Sequence, residues 1–304
     1  MPEKSSSSNR FPAAVKCSVI IVSFNQFELL KAAIESLKKN PPPFACEIIV
    51  VDNHSTGDVQ DYLNEFFHDI RIIRNPSNHG FGWANNRGAQ AAQGEYLLFL
   101  NSDAEITGAA LLRMVGAMER NAAIGILGPM LLNSDGSFQL SFGKKISLWA
   151  ECYQKSLAPI WEKWRLNFHN RERFLKNVDW VSGACLLTRR EMFLPGPVFD
   201  EEMFLYFEDH DLCLRVKALG KKVVYCPGAQ VMHHLGRSQA AVAAGAMIEY
   251  RKSQLYLYRK HLPRWQSFLL RRYLSCKFRR QLRRACDENE KQAAAGILEL
   301  LKEI

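Results

Sequence analysis

The segment Cys17-Ser-Val-Ile-Ile-Val-Ser-Phe24 is a short, apolar run rich in β-branched residues, which predicts a buried strand. A helix capped by Asn25 is predicted to follow and to end at the three prolines of residues 41–43. Further strands are predicted at 47–51, 70–74 and 96–100, separated by helices at 59–67 and 84–93. Strands that alternate with helices indicate an α/β fold with a parallel sheet wound through right-handed crossovers.

Polar residues lie at the ends of three of the predicted strands. They are Ser23 and Asn25, then Asp52 and Asn53, and finally Asn101, Ser102 and Asp103. Ligands of open parallel sheets bind at the carboxyl ends of the strands, so three polar strand ends favour a nucleotide crevice over three unrelated helix caps. Asp103 lies in a predicted turn where its carboxylate can meet a divalent cation, and such a cation suits a diphosphate held beside it.

The glycine-rich segment Asn78–Gly88 invites comparison with dinucleotide-binding loops. Its glycines at 80, 82 and 88 do not have the G-x-G-x-x-G spacing, and the segment follows the third predicted strand instead of the first. It still places glycines and amide side chains at the start of a helix, where backbone N–H groups can approach an anion. We therefore interpret it as a candidate anion-binding segment and not as a dinucleotide motif.

Two carboxylates, Glu208 and Asp209, lie between an aromatic run and a helix predicted over 212–219. Burial there can raise a carboxyl pKa toward the range of a general base. Because adjacent helical side chains project about 100° apart, one of the two is expected to face the site and the other to make structural contacts. Asp211 is interpreted as a first-turn residue stabilised by the helix dipole.

His233 and His234 follow a strand predicted at 223–225. A histidine at a strand end can ligate a cation, and imidazole beside a carboxylate fits manganese better than calcium. Either histidine alone is equally consistent with a structural role. The turn Gly236-Arg237-Ser238 adds a cation and a hydroxyl, which suit a phosphate clamp.

The formal net charge of +9 comes from 40 Lys and Arg residues against 31 Asp and Glu residues, and it predicts an anionic partner. Residues 251–284 contain 12 Lys and Arg residues and no acidic residue, which leaves −3 for the rest of the chain. Apolar residues interleave with these charges and Pro263 interrupts them, so we predict two basic amphipathic helices. Such helices lie on anionic membranes, and we expect 251–284 to bind a membrane surface and no nucleic acid. Packing of these helices on the domain is the alternative.

The cysteines and the apolar pattern predict a location inside the cell. The eight cysteines are scattered without a Cys-x-x-Cys pair, and the first ten residues lack an apolar signal core. No apolar run approaches the roughly 18 residues of a membrane span. We expect a cytoplasmic protein attached peripherally to the inner face of the cytoplasmic membrane.

Six segments in a fixed order resemble the family 2 glycosyltransferases, specifically the bacterial rhamnosyltransferase-like branch. They are Ser18–Asn25, Val50–Ser55, Asn78–Gly88, Leu98–Asp103, Trp180–Ala184 and Phe207–Leu212, and the resemblance covers roughly residues 17–238. The resemblance implies a GT-A fold, with a mostly parallel central sheet and helices on both faces. It also implies a nucleotide-sugar donor, a divalent cation (Mg²⁺ or Mn²⁺) and inversion at the anomeric carbon.

By position, the resemblance implies that Asp52 recognises the nucleotide base, that Asp103 ends the metal-binding acidic motif and that Asp209 is the catalytic base. His234 is implied as a further contact of the metal or the diphosphate. Asn101 stands where the usual Asp-x-Asp motif has its first acidic residue. One anionic ligand remains, so we expect weak metal binding in the absence of donor.

The complete set of expected site residues has four parts. Catalysis is assigned to Asp209 and Glu208, and metal binding to Asp103 and His234. Donor binding is assigned to Ser23, Asn25, Asp52, Asn53, Asn78, Gly80, Asn86, Ser102 and Arg237. The acceptor side is assigned to Trp180, Ser182 and Gly183.

We expect a disordered leader over 1–15, a GT-A domain over 16–240 and a basic amphipathic helical tail over 241–304. The nucleotide-binding half of the domain is expected over 16–130 and the acceptor-side half over 131–240. The predicted reaction moves a sugar, with rhamnose favoured, from a dTDP- or UDP-linked donor to a glycan or lipid-linked glycan in cell-surface polysaccharide synthesis. Two alternatives stay open: a transferase for another hexose or galactofuranose, and a non-catalytic nucleotide or nucleic-acid binding module.

Overall fold

The structure, a computed structural model, describes residues 14–143, 147, 174–193, 195–234, 243–285 and 287–303. The first 13 residues of the predicted leader, most of the region between 144 and 173, and Arg237 lie outside the described residues.

The described chain contains 12 strands and eight α-helices. The strands are β1 Cys17–Ser23, β2 Cys46–Asp52, β3 Arg71–Arg74, β4 Tyr96–Asn101, β5 Ala104–Ile106, β6 Ile124–Leu132, β7 Phe138–Gln139, β8 Phe142–Gly143, β9 Lys176–Val178, β10 Trp180–Val181, β11 Cys185–Arg189 and β12 Lys222–His233. The helices are α1 Phe27–Lys39, α2 Val59–Asn64, α3 Phe81–Ala91, α4 Gly108–Arg120, α5 Glu208–Ala218, α6 Ala243–His261, α7 Arg264–Arg284 and α8 Glu288–Glu303.

A central sheet has the strand order β3-β2-β1-β4-β11-β6-β12-β5. The strands β3, β2, β1 and β4 are parallel, and Ser23 of β1 lies opposite Asp52 of β2. The carboxyl ends of these strands therefore meet at one edge of the sheet. The predicted α/β fold with a mostly parallel sheet is confirmed, and β11 enters it antiparallel between β4 and β6.

Apolar cores lie on both faces of this sheet. One face packs against α1 and α4, which contribute the buried side chains of Leu30, Leu37 and Leu111. The other face packs against α3 and α5, where Ala84 and Val216 are fully buried. Strands buried on both sides explain why β1 and β4 are almost entirely apolar.

Several predicted boundaries were wrong. Helix α1 begins at Phe27 after Gln26, because Asn25 takes a left-handed conformation (φ 56°) and does not cap the helix. Strands β10 and β11 are separated at residues 182–184, where Gly183 N–H donates to Asp209. The strand predicted at 223–225 extends over all of β12, since it pairs with β6, β9 and β5.

The basic segment forms α6 and α7, which are separated at Pro263 as predicted, and α8 follows as a third helix. These helices share an apolar core that includes Tyr258, Leu274 and Ile297. Leu257 of α6 is buried with residues that precede α5, so α6 also packs against the sheet domain. None of the described helices combines the length and apolar character that crossing a bilayer requires.

Candidate active site

Buried polar atoms lie at the carboxyl end of each of the four parallel strands. They are Ser23 Oγ, Asp52 Oδ2, Asn75 Oδ1 and Asn101 Oδ1, and none of them has a hydrogen-bond partner among the described residues. A buried polar group without a hydrogen bond costs about 1–3 kcal/mol. Four such atoms along one sheet edge indicate a surface that is completed by a polar ligand, as expected at the carboxyl ends of parallel strands.

The carboxylate of Asp52 is held in a fixed orientation at this edge. Its Oδ1 accepts a hydrogen bond from Ser55 N at 2.9 Å, and its Oδ2 lies 3.5 Å from Nε of Arg74. The Asp52 side chain is only 1% exposed, whereas that of Arg74 is 49% exposed. A preoriented carboxylate beside a half-exposed guanidinium is suited to hydrogen bonding with a nucleotide base.

Asn53 and Asn78 organise the loop that follows β3. Asn53 Nδ2 donates to Asn78 Oδ1 at 2.8 Å and to the carbonyl of Gly80 at 3.2 Å, while Asn53 Oδ1 accepts from Asn75. Gly80 itself has φ 92°, and a Cβ there would lie 2.3 Å from the carbonyl oxygen of Phe204. These residues border the crevice, and their side chains are engaged in shaping its wall.

Asn86, Ser102 and Asn25 also have partners within the protein. Asn86 is buried and exchanges two hydrogen bonds with the backbone of Phe199, which ties α3 to the segment before α5. Ser102 Oγ donates to Gln26 Oε1 at 2.8 Å, and Asn25 Oδ1 accepts from Thr56 N at 2.8 Å. The amide of Asn86 is thus engaged in a contact between α3 and the segment before α5.

Asp103 lies against His233, and not against the side chain of His234. The distance from His233 Nε2 to Asp103 Oδ1 is 3.2 Å, and His233 Nδ1 lies 2.8 Å from Gln139 Oε1. The contact with Gln139 orients the ring so that Nε2 faces Asp103 and lies 3.5 Å from Asn101 Nδ2. This is the usual arrangement in which an outer hydrogen bond orients a metal-binding histidine.

His234 is directed elsewhere. Its Nε2 lies 2.8 Å from Glu105 Oε1 and its Nδ1 lies 2.7 Å from Ser134 Oγ. Its backbone N–H contacts Asp103, by donating to the carbonyl oxygen at 2.9 Å. Neighbouring residues of a strand point to opposite faces, which explains the different partners of the two histidines.

The donors around Asp103 fit a divalent cation that also takes oxygen atoms from a bound diphosphate. Asp103 Oδ1, His233 Nε2 and the buried Asn101 Oδ1 supply one anionic and two neutral ligands of the type that Mn²⁺ or Mg²⁺ accepts. In the part of the chain that the structure describes, no three His, Cys, Asp or Glu residues are grouped closely enough to hold a metal. The donor set is therefore incomplete without ligand oxygens.

Asp209 lies in the first turn of α5, which begins at Glu208 and not at the predicted residue 212. Its Oδ2 accepts a hydrogen bond from Gly183 N at 2.8 Å, and its Oδ1 lies 2.7 Å from both N and Nδ1 of His210. Burial by itself would raise the pKa of Asp209, but the His210 imidazole and these hydrogen bonds lower it below its ordinary value. An ionised carboxylate that remains 15% exposed is suited to accept a proton.

Glu208 has the opposite electrostatic state. It is buried, and Oε2 has no hydrogen-bond partner among the described residues. Burial, followed by the negative charge of Asp209, raises its pKa to about 8. The adjacent carboxyls therefore have separate states at neutral pH, with Glu208 neutral and Asp209 charged, as expected when environments push two pKa values apart.

The short segment between β10 and β11 connects the two clusters. Gly183 N–H contacts Asp209, and the carbonyl of the next residue, Ala184, accepts a hydrogen bond from Asn101 N at 3.0 Å. Trp180 at the start of β10 packs on His210 with ring centroids 4.5 Å apart. The candidate base and the candidate cation ligands thus flank a single turn of backbone.

Several residues of this arrangement were not assigned from the sequence. His210 stands next to Asp209, but adjacency gave no sign that its ring would fold back onto that carboxylate. Gln139 lies within residues 133–178, where the sequence has only weak periodicity and predicts no element. Asp211 was interpreted through the helix dipole. Despite its burial, its pKa lies far below the ordinary value, because three further partners stabilise the charge: His261, Lys260 and Arg215.

Comparison with known proteins gives a matching family model and several curated relatives. The family model "Glycosyl transferase family 2" matches residues 18–194. The chain is 28% identical over 236 residues to the N-acetylglucosaminyl-diphospho-decaprenol L-rhamnosyltransferase of Mycobacterium tuberculosis, covering 72% of this chain and 77% of the relative. It is also 28% identical to the O-antigen biosynthesis protein RfbC of Myxococcus xanthus, covering 75% of this chain but 18% of that protein.

Solved structures agree on the fold at low sequence identity. GalNAc-T7, crystallised with UDP, GalNAc and Mn²⁺, is 16% identical with a TM-score of 0.56, and the match covers 81% of this chain and 50% of that one. Mannosyltransferase PcManGT from Pyrobaculum calidifontis, in complex with GDP-Man and Mn²⁺, is 14% identical with a TM-score of 0.54, covering 96% and 73%. The implied GT-A fold is confirmed. The matching family model covers more than half of the chain, and the chain belongs to glycosyl transferase family 2.

Proposed function

We propose that this protein transfers a sugar, with rhamnose favoured, from a dTDP- or UDP-linked donor to a glycan or lipid-linked glycan, with inversion at the anomeric carbon. The observation that carries the proposal is the position of the charged Asp209. Its carboxylate accepts a hydrogen bond from Gly183 N, and the next residue, Ala184, accepts one from Asn101 N at the end of β4. A base and a phosphate-binding edge at this separation suit direct displacement at a sugar carbon. The names of the M. tuberculosis and M. xanthus relatives support the sugar and the cell-surface product.

In the proposed reaction, Asp209 accepts the proton of an acceptor hydroxyl while that oxygen attacks C1 of the sugar. The bond between C1 and the donor phosphate oxygen breaks, and the diphosphate leaves with the bonding electrons. His210 and Gly183 keep the carboxylate of Asp209 oriented and charged until the proton arrives. Glu208 is neutral near pH 7, so it does not compete for this role.

A divalent cation, Mg²⁺ or Mn²⁺, would be held by Asp103 and His233 together with Asn101, and it would offset the charge of the departing diphosphate. Asp52 would bind the base from its position at the end of β2. Trp180 and Ser182 would lie on the acceptor side. The phosphate clamp assigned to Arg237 is proposed from the sequence, since that residue lies outside the described residues.

The proposed acceptor is linked to a lipid, as the name of the M. tuberculosis relative indicates for that protein's own substrate. We therefore place the proposed reaction at a membrane surface. A glycan without lipid is the alternative acceptor for the same chemistry, because the base needs only a hydroxyl.

A donor panel tests the proposal. The purified chain is mixed with Mn²⁺ and with dTDP-rhamnose, UDP-galactofuranose, UDP-GlcNAc or GDP-mannose, and thermal stabilisation and release of the nucleoside diphosphate are measured. We expect one donor to stabilise the protein and to be hydrolysed slowly without acceptor. Asp103→Ala should lose both effects, while Asp209→Asn should lose hydrolysis and keep stabilisation. Stabilisation by a nucleotide with no hydrolysis or transfer of any sugar would instead support a binding module.

Metal binding is tested separately by calorimetry with Mn²⁺ and no nucleotide. Because the described donors include a single carboxylate, Asp103, we expect weak binding that becomes tight only when a nucleoside diphosphate is present. Tight binding of Mn²⁺ alone would contradict this.

A further inference from the structure

The basic segment divides into an inward-facing helix and an outward-facing helix. In α6, Lys260 Nζ lies 2.5 Å from Asp200 and 2.7 Å from Asp211, and His261 Nε2 lies 2.7 Å from Asp211. Arg251 of the same helix is buried and donates to Gln254. Lys260 and His261 therefore attach α6 to the residues before and within α5, and the guanidinium of Arg251 is held inside α6.

Helix α7 presents a continuous face to solvent. Its inward side buries Leu270, Leu274 and Phe278 in the core shared with α6 and α8. Successive side chains of an α-helix are rotated by about 100° around its axis. On the side of α7 opposite the buried residues, three apolar and three basic side chains therefore point within about 60° of a common direction. We call these six residues the α7 stripe: Trp265, Phe268, Leu269, Arg272, Arg279 and Arg283.

The α7 stripe changes in chemistry along the helix. Its first half carries large apolar side chains, and Trp265, Phe268 and Leu269 are 52%, 60% and 47% exposed. Its second half carries arginines that are exposed as well. Beside the stripe, a groove of about 560 Å³ between α7 and α8 is lined by Arg271, Arg272, Arg279 and Lys302, together with one carboxylate, Glu299.

We propose that the α7 stripe is a docking surface for an anionic lipid bilayer. Exposed aromatic and leucine side chains enter the boundary between head groups and acyl chains, where Trp combines an apolar body with a polar N–H. Arginines on the same face bind lipid phosphates, and the adjacent groove adds cations for a head group. A nucleic acid would use the arginines and stack bases on the aromatic rings, but it would leave the adjoining Leu269 exposed to water.

This surface is connected to the proposed acceptor side. Helix α6 joins α7 at Pro263 and packs through Leu257 against Met203 and Phe207, the second of which directly precedes Glu208. Ser253 Oγ donates to the carbonyl of Leu205 at 2.8 Å in the same contact. A bilayer held by α7 would thus be fixed relative to the helix that carries Asp209. The docking surface itself is independent of the proposed function, and only its link to a lipid-linked acceptor rests on that function.

Vesicle flotation with the full chain tests the docking surface. Vesicles of phosphatidylcholine with 30 mol% phosphatidylglycerol are compared with pure phosphatidylcholine at ~0.15 M salt, which is near physiological ionic strength. The variant Arg272→Gln/Arg279→Gln/Arg283→Gln removes the charges of the stripe, and Trp265→Ser/Phe268→Ser/Leu269→Ser removes its apolar half. At about fivefold per arginine, the first variant should bind about 100-fold more weakly, and the second should lose binding to a similar extent.

A control variant, Phe66→Ser/Leu112→Ser/Leu219→Ser, removes apolar side chains that are similarly exposed elsewhere. It should bind vesicles within threefold of the unchanged protein, and circular dichroism should show that all variants keep their helices. Equal binding by the stripe variants and the control, or no preference for anionic vesicles, would overturn the proposal. So would retention of an RNA oligonucleotide by the unchanged protein with no binding to vesicles.

Donor hydrolysis in solution separates this inference from the proposed function. The stripe variants should hydrolyse donor at the rate of the unchanged protein, since α7 lies outside the proposed site. Loss of vesicle binding with hydrolysis retained would support both proposals, and vesicle binding without hydrolysis of any donor would leave only the docking surface standing.

Discussion

Replacing Asp209 by asparagine removes the charge of the proposed base with the smallest change in shape. The carboxylate accepts hydrogen bonds from Gly183 N at 2.8 Å and from His210 N at 2.7 Å. An asparagine that keeps its oxygen toward His210 places its NH₂ group opposite Gly183 N, so the hydrogen bond from Gly183 is lost, at a cost of about 1.5–3 kcal/mol for a bond to a charged group. A loss of this size leaves the fold intact, and the change in rate then reports on the chemistry.

The expected loss of rate follows from the role of a base. General-base assistance contributes about 10²–10⁴-fold, so kcat should fall by that factor, which equals about 3–5 kcal/mol of activation free energy. Affinity for the donor should change by less than threefold, because Asp209 is bound to Gly183 and not to the strand ends that are proposed to bind the nucleotide.

Glu208→Gln is the matched control one residue away. Burial and the neighbouring charge of Asp209 raise the pKa of Glu208 to about 8, so the side chain is mostly protonated at pH 7. Glutamine has nearly the same size and the same charge as a protonated glutamate. We therefore expect kcat of this variant at pH 7 to stay within about threefold of the unchanged protein.

The two variants are compared by measuring transfer and donor hydrolysis at saturating Mn²⁺ and donor, with donor binding measured by calorimetry. The reasoning would be refuted by an Asp209→Asn variant that keeps kcat within tenfold. It would equally be refuted by a Glu208→Gln variant that loses as much activity as Asp209→Asn. Glutamine would then fail to replace Glu208, which contradicts a neutral Glu208 without a role in proton transfer.

Three further predictions concern stability and metal binding. The pKa of Glu208 is higher in the folded protein than in the unfolded chain, so its carboxyl ionises at lower pH in the unfolded chain. The free energy of unfolding therefore falls as the pH rises from about 4.5 to about 8. In urea unfolding at pH 7, Glu208→Gln should therefore be more stable by about 3 kcal/mol, and an unchanged pH dependence would contradict the raised pKa. His233→Ala should raise the Mn²⁺ concentration for half-maximal activity by about tenfold or more, whereas His234→Ala should change it by less than threefold. Equal effects of the two substitutions would contradict the assignment of the metal contact to His233. Gly80→Ala should cost about 3 kcal/mol in urea unfolding, because it combines positive φ with a Cβ 2.3 Å from a backbone carbonyl oxygen, while Gly136→Ala, with φ 78° and open space, should cost about 1 kcal/mol.

The sequence alone predicted the order of strands and helices in the first 101 residues because burial leaves a local record. β1, β2 and β4 are apolar runs that end in polar residues, and the observed bounds differ from the predicted ones by one residue at each end or less. The ordered motifs from Ser18 to Leu212 likewise predicted the family, which the family model confirmed. Both the order of the elements and the family were predicted from residues that lie close together in the sequence.

The roles of individual polar side chains depended on contacts between distant residues. Both histidines at the end of β12 were visible, yet only the register of His233 opposite Ala104 places the first of them against Asp103. Asn86 lies in a motif that suggested a ligand contact, and its amide binds the backbone of Phe199, 113 residues away. Side chains of neighbouring strand residues face opposite sides, so pairing must be known before a partner can be named.

The charge of the C-terminal segment shows the same division. Composition was enough to locate 12 cations without an acidic residue in 251–284 and to predict two amphipathic helices. Only the tertiary structure decided which cations are available, because Lys260 and His261 are bound to Asp211 while Arg279 and Arg283 remain exposed. A net charge is a property of the chain, but its accessibility is set by the carboxylates and apolar surfaces that folding brings alongside.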